Sequence, residues 1–176
     1  MSIQIYSPTL AVGPVWTDPM NILASDNAYA ILAFGLIQYL EGMNYGIVGA
    51  GVINQVEVGV EQYDNLDMAP FASIDVSWDG GTSWSALAHP VTQKPADDNY
   101  VEWLDVTADT IWDWDKLSDV NFEARLLVDA KAATAGSYYV DWLPVRITWT
   151  SGTWTPGKAR IRSNIYAPWL RYHRHG

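Results

Sequence analysis

Asp109, Asp113, Asp115 and Asp119 fall close together, and two of them flank Trp114. Paired carboxylates beside an aromatic ring suit glycoside hydrolysis, in which burial raises one pKa while the other group stays ionised. Nothing in the sequence sets a second carboxylate at a defined separation from these, and loop aspartates ordinarily form caps and turns. The same oxygen-rich run suits a structural calcium ion, although it lacks the Asp-x-Asp-x-Asp-Gly spacing of an EF-hand loop. The expectation is no catalytic residue, no cofactor and no metal site, with calcium the one alternative left open. His89 stands beside Pro90 in an expected loop, while His173 and His175 have no carboxylate or third ligand close in sequence. No G-x-S-x-G elbow is present, and the absence of cysteine removes thiolate nucleophiles and thiolate metal sites together. Gly46-Ile-Val-Gly-Ala-Gly51 lacks the G-x-G-x-x-G order of a phosphate cradle and reads as a loop between strands.

Ser77-Trp-Asp-Gly-Gly-Thr-Ser-Trp84 is the most legible local motif. It resembles an Asp-box, S-x-D-x-G-x-T-W, with Ser83 in place of the Thr. In such a turn the Asp79 carboxylate accepts loop amides, Gly80 and Gly81 take positive φ, and Trp84 covers the turn. The expectation is a structural hairpin built on Ser77, Asp79, Gly81 and Trp84. The motif occurs once, and 176 residues do not make a six-bladed propeller.

Charge excludes one class of partner. Twenty Asp and Glu against ten Lys and Arg give a net charge of -10, the wrong sign for a phosphate lattice, so no nucleic acid is expected. Every acid lies at or before Asp141, whereas Lys158, Arg160, Arg162, Arg171 and Arg174 crowd the end. Twenty acids against five bases leave the body at -15, and the five terminal bases give +5. Ile161, Ile165, Trp169 and Leu170 are interleaved with those bases, a richness in large apolar groups that disordered tails do not normally keep. Arg160, Ile161, Arg162, Ile165, Trp169, Leu170 and Arg171 are therefore expected to form an arm, packed either on its own domain or on a neighbouring subunit. The longest apolar run, Ala28–Ile37, holds ten residues, short of the ~18 that suggest a membrane span. MSIQIYSPTL has neither a basic nor an apolar signal region, so no secretory leader is expected.

The elements that must position these residues are strands. Val56, Val58 and Val60 alternate with Glu57, Gly59 and Glu61, and Ile74, Val76 and Trp78 with Ser73, Asp75 and Ser77. Alternation recurs around Val101–Val106, Phe122–Asp129 and Val145–Trp149, separated by Gly, Asp and Pro. In Ala28–Glu41 the apolar positions are continuous rather than in a stripe, and Gly35 breaks the middle, which favours two short strands over a helix. With 49% hydrophobic residues and 17% charged, one domain with a full core is expected. The fold class is all-β, an antiparallel jelly-roll-like sandwich. It divides into an N-terminal arm over 1–15, the sandwich over 16–150 and a basic, aromatic C-terminal arm over 151–176.

Three segments together resemble a β-sandwich domain that recurs in virion proteins of tailed phages and in some prokaryotic surface proteins. The opening, Trp16-Thr-Asp-Pro-Met-Asn-Ile-Leu-Ala-Ser-Asp-Asn-Ala-Tyr-Ala30, is similar to W-x-N-P-x-N-A-x-x-x-D-x-x-Y-A. The middle is Gly51–Glu61 leading to the Ser77–Trp84 hairpin, and the close is Asn121–Leu126, Tyr138–Trp142 and Val145–Trp149. The resemblance implies a non-enzymatic virion subunit, a capsid decoration, head or tail-associated protein partnered by copies of itself or other virion subunits, with no membrane partner. The alternative is a carbohydrate-recognition module of a phage or cell-surface adhesin, with a glycan as partner and solvent-facing Trp as its stacking groups.

Overall fold

Val56, Val58 and Val60 turn one face of a strand inward and lose all contact with solvent, while Glu57, Gly59 and Glu61 occupy the other face. The same period of two recurs over Glu123–Asp129. The computed structural model describes residues 1–86, 89–97 and 99–151. Its strands are β1 (Ser2–Tyr6), β2 (Leu10–Val12), β3 (Ala30–Ala33), β4 (Ile37–Met43), β5 (Val52–Asp64), β6 (Phe71–Ser77), β7 (His89–Pro90), β8 (Val101–Asp105), β9 (Glu123–Asp129), β10 (Ser137–Trp142) and β11 (Val145–Thr150). Short 3₁₀ turns occupy Pro19–Ile22 and Thr107–Asp109.

Two antiparallel sheets form an all-β sandwich of the jelly-roll kind. Sheet A runs β1-β11-β5-β10-β3 with β8 added to β5, and sheet B runs β2-β4-β9-β6-β7. β10 and β11 lie end to end along one edge of β5, and the chain breaks between them at Leu143-Pro144. Pro144 has no N–H to give, but its carbonyl accepts the Gly59 amide at 2.7 Å. A Cβ on Gly59 would come within 2.7 Å of Val101, 2.8 Å of Pro144 and 2.9 Å of Trp103, so glycine is what lets this crossing close.

The core lies between the sheets. Val56, Val58, Val140, Val145 and Ile147 from sheet A meet Leu40, Ile74, Val76, Leu126 and Val128 from sheet B, all fully buried. Each large side chain so placed contributes about 1.5–3 kcal/mol. One end is closed by aromatic rings: Trp112 meets Trp78 and Phe122 at 6.2 and 5.8 Å between centres, and its indole N–H donates to the Val106 carbonyl at 3.1 Å.

Residues 1–15 differ from the arm expected of them. β1 pairs with β11 from Ser2↔Trp149 to Tyr6↔Val145, and β2 pairs with β4, so both are edge strands of the sandwich. Pro8 and Pro14 do not release the segment; they mark the corners where it passes from one sheet to the other. The apolar run from Ala28 divides at Gly35, whose φ is 78°, into β3 and β4. His89 is a strand residue of β7 rather than part of a loop.

Candidate functional site

β6 ends at Ser77, and the chain reverses through the Asp-box-like segment. The Ser77 hydroxyl donates to Asp79 Oδ1 at 3.0 Å and accepts the Gly81 amide at 2.9 Å, while the Ser83 amide donates to Asp79 Oδ1 at 2.8 Å. The Ser83 amide is the first of the contacts that hold the Asp79 carboxyl below its usual range. Gly80 and Gly81 have φ of 68° and 76°, a conformation that favours glycine. Ser77, Asp79 and Gly81 thus serve the turn itself.

Trp84 serves the neighbouring sheet. Its ring centre lies 3.8 Å from the guanidinium carbon of Arg125, which also sits 4.1 Å from the ring centre of Tyr39. The same guanidinium donates through Nε and Nη2 to Asp75 Oδ2 at 3.2 and 3.1 Å. These residues come from three adjacent strands and one loop, and register explains why they meet. Glu41, Arg125 and Asp75 are direct partners across β4, β9 and β6. On either side of that row, Tyr39 pairs with Leu127 and Ser73, and Met43 with Glu123 and Ser77. Ile37, Asp129 and Phe71 complete the outward face. Four rows at two residues each extend about 20 Å.

Solvent reaches this face at Phe71, Ile37 and Tyr39, whereas Ser73 and Ser77 are buried on it. Phe71, Ile37 and Tyr39 are 53%, 44% and 39% exposed, and no pocket forms among the described residues. Its electrostatics are mixed. Partial burial first, then the charges of Glu41 and Asp79, push the Glu123 carboxyl above its usual range. The Arg125–Asp75 pair stands among these acids with aromatic rings on it, a preorganised set of donors, acceptors and π-faces.

The other residues singled out in the sequence do different things. The Asp109 side chain is shielded from solvent and bonded to His89 Nε2 at 2.9 Å. Asp113 accepts the Lys116 amide, Asp119 accepts the Gly46 amide at 2.6 Å, and Asp115 contributes its carbonyl to Ser118 and Asn121. Three of the four carboxylates are therefore spent on separate partners, and Asp115 acts through its backbone. Among the described residues no group of three His, Asp or Glu is placed to hold a metal ion. Arg160, Ile161, Arg162, Ile165, Trp169, Leu170 and Arg171, with His173 and His175, lie outside the described residues. Sequence reading passed over Tyr39, Arg125 and Asp75. Their only local signal is an outward position in an alternating strand.

No protein-family model matches the chain, and no curated protein matches it. Solved structures do. A family 29 carbohydrate binding module is 11% identical over 84% of this chain and 86% of that one, with a TM-score of 0.45. A family 35 carbohydrate binding module from Clostridium thermocellum is 16% identical over 82% and 98%, with a TM-score of 0.43. TmCBM61, solved in complex with β-1,4-galactotriose, is 9% identical over 81% and 86%, with a TM-score of 0.41. The modules so matched are carbohydrate-binding modules and not virion proteins, so the comparisons run against the expected virion subunit and give its virion partners no support. The segments behind that expectation explain the error. Trp16 and the strands from β5 to β11 that they cover build the buried framework, and a framework specifies a fold rather than a task.

Proposed function

We propose that this chain is a non-catalytic carbohydrate-recognition module that takes a glycan on the outer face of sheet B. The observation that carries the reading is Arg125, bonded to Asp75 and lying over the rings of Tyr39 and Trp84 in the middle of the outer face of sheet B. A pyranose has a C–H face that stacks on aromatic rings and a rim of hydroxyls that both donate and accept. Tyr39, Trp84 and Phe71 offer the first kind of contact; Arg125, Asp75, Glu41 and Glu123 offer the second. The guanidinium also fixes both rings, so little side-chain entropy is lost when a sugar arrives. With net charge -10, the protein repels polyanions, and the ligand is a neutral polymer.

Affinity electrophoresis through gels containing soluble neutral glucans, galactans, mannans or xylans tests the reading. Retardation by at least one of them is expected, and Trp84→Ala and Tyr39→Ala should each abolish it while leaving the protein folded. Absence of retardation across the panel, or equal retardation of both variants, overturns it.

A further inference from the structure

A second aromatic surface lies on the opposite side of the sandwich. Tyr63 of β5 and Tyr139 of β10 are direct cross-strand partners, and their rings stack with centres 4.5 Å apart and planes 4° from parallel. Tyr29, just before β3, meets both at right angles, 5.3 and 6.0 Å away. All three are half-exposed, and each is held by the other two. The Tyr29 hydroxyl donates to the carboxylate of Asp97, which also accepts the Asn99 amide at 3.0 Å. Beneath the rim, Asp141 accepts the amides of Asp26 and Asn27 at 3.4 and 3.1 Å, pinning the loop that carries Tyr29. Asp97 is exposed at the edge of the tyrosines, and Asp26 is exposed in the loop that precedes Tyr29.

We infer that Tyr29, Tyr63 and Tyr139, with Asp97 at their rim, form a second glycan site that selects sugars carrying a protonated amino group. The inference rests on the reading of the chain as a glycan-binding module, but on residues that share nothing with the sheet B face. Ring planes fixed by mutual packing supply stacking surface without further ordering. An ammonium beside an aromatic ring gains from the π-electrons, and a carboxylate at the same edge adds a charge-assisted hydrogen bond. The field there is negative: after burial, the charges of Asp26 and Asp97 raise the Asp141 carboxyl above its usual range. Burial, followed by Asp97 at Tyr29 and by Tyr139 and then Asp97 at Tyr63, also raises these two phenols, which therefore remain protonated, neutral rings. The sheet B face differs in that its central charge, Arg125, is already paired with Asp75 and lies over two rings.

Calorimetric titration with a short glucosamine oligomer, its amines protonated, against the N-acetylated oligomer of equal length tests the inference. The cationic oligomer is expected to bind, to weaken with added salt, and to lose about tenfold or more in affinity in Tyr63→Ala and in Asp97→Asn. Asp113→Asn, at an exposed carboxylate in a loop that packs near the far end of β5, controls for general attraction to an acidic protein and should bind as wild type does. Failure of the cationic oligomer to bind, equal binding of the N-acetylated form, or unchanged affinity in Tyr63→Ala and Asp97→Asn overturns the second site. Retardation in neutral-glycan gels reads the sheet B face separately, so either site can fail alone.

Discussion

Replacing Arg125 by alanine removes three contacts at once. The guanidinium donates twice to Asp75 and lies over two rings, and the paired side chains are only 16% and 15% exposed. Hydrogen bonds to charged groups contribute about 1.5–3 kcal/mol each, reduced here by the solvent that still reaches the pair. Each cation–π contact at an exposed site adds about 0.5–1 kcal/mol. Arg125→Ala is therefore expected to cost about 2–3 kcal/mol, and Asp75→Ala about 1–2 kcal/mol. At about 2–4 °C per kcal/mol for a chain of this size, the first lowers Tm by about 4–12 °C. Because both substitutions break the same contact, the double variant should fall short of the sum by about 1–2 kcal/mol. Denaturant unfolding of the four proteins of the cycle measures this. Single effects that add to within about 0.5 kcal/mol would refute the coupling, and with it the preorganised centre of the site. Arg125→Lys keeps the charge without the fork and should recover less than half the loss.

Further outcomes concern the framework and the tail. His89→Ala leaves the solvent-shielded Asp109 carboxylate without its His89 partner and should cost about 1–3 kcal/mol, measured by urea unfolding. Glu123→Gln should raise Tm at neutral pH. The carboxyl is raised above 4.5 in the fold, so its ionised form weighs against folding once pH exceeds that range, and the gain should vanish in acid. Asp79→Ala should act with the opposite sign. A carboxyl lowered in the fold stabilises above its unfolded range, so the variant should be less stable near neutrality, and the charge-dependent part of that loss should vanish as pH falls through the folded pKa. We also propose that the +5 segment from Gly157 docks on the acidic body of a second copy, anchored by Trp169. Deleting 157–176 should leave a folded monomer by sedimentation, and unchanged association would argue against docking between copies.

The strands that carry the core could be read from the sequence because burial on one face imposes a period of two. β5, β6, β9 and β11 each show it in Val, Ile and Leu. β1 and β2 are short and sit at edges, so Ile3, Ile5, Leu10 and Val12 stay exposed and their apolar pattern has no polar counterpart to reveal it. The sheet B site is hidden for a different reason. Tyr39, Asp75 and Arg125 are far apart in sequence and meet only through strand register, which side-chain types do not encode locally. The Asp79 turn is local chemistry, and its residues are legible as such. Trp84, read as the cover of that turn, goes instead to the strongest π-partner within reach, the Arg125 guanidinium.

Titration of isotope-labelled protein with the neutral oligosaccharide that retards it most, followed by amide and side-chain N–H resonances, tests glycan recognition on sheet B most directly. The indole N–H of Trp84, the Nε–H of Arg125 and the amides of Tyr39, Glu41, Ser73 and Asp75 should shift together with one saturation curve. Shifts confined to the tyrosine surface of sheet A or to the end of the sandwich closed by Trp78 and Trp112, with the Arg125 and Trp84 signals unmoved, would contradict it.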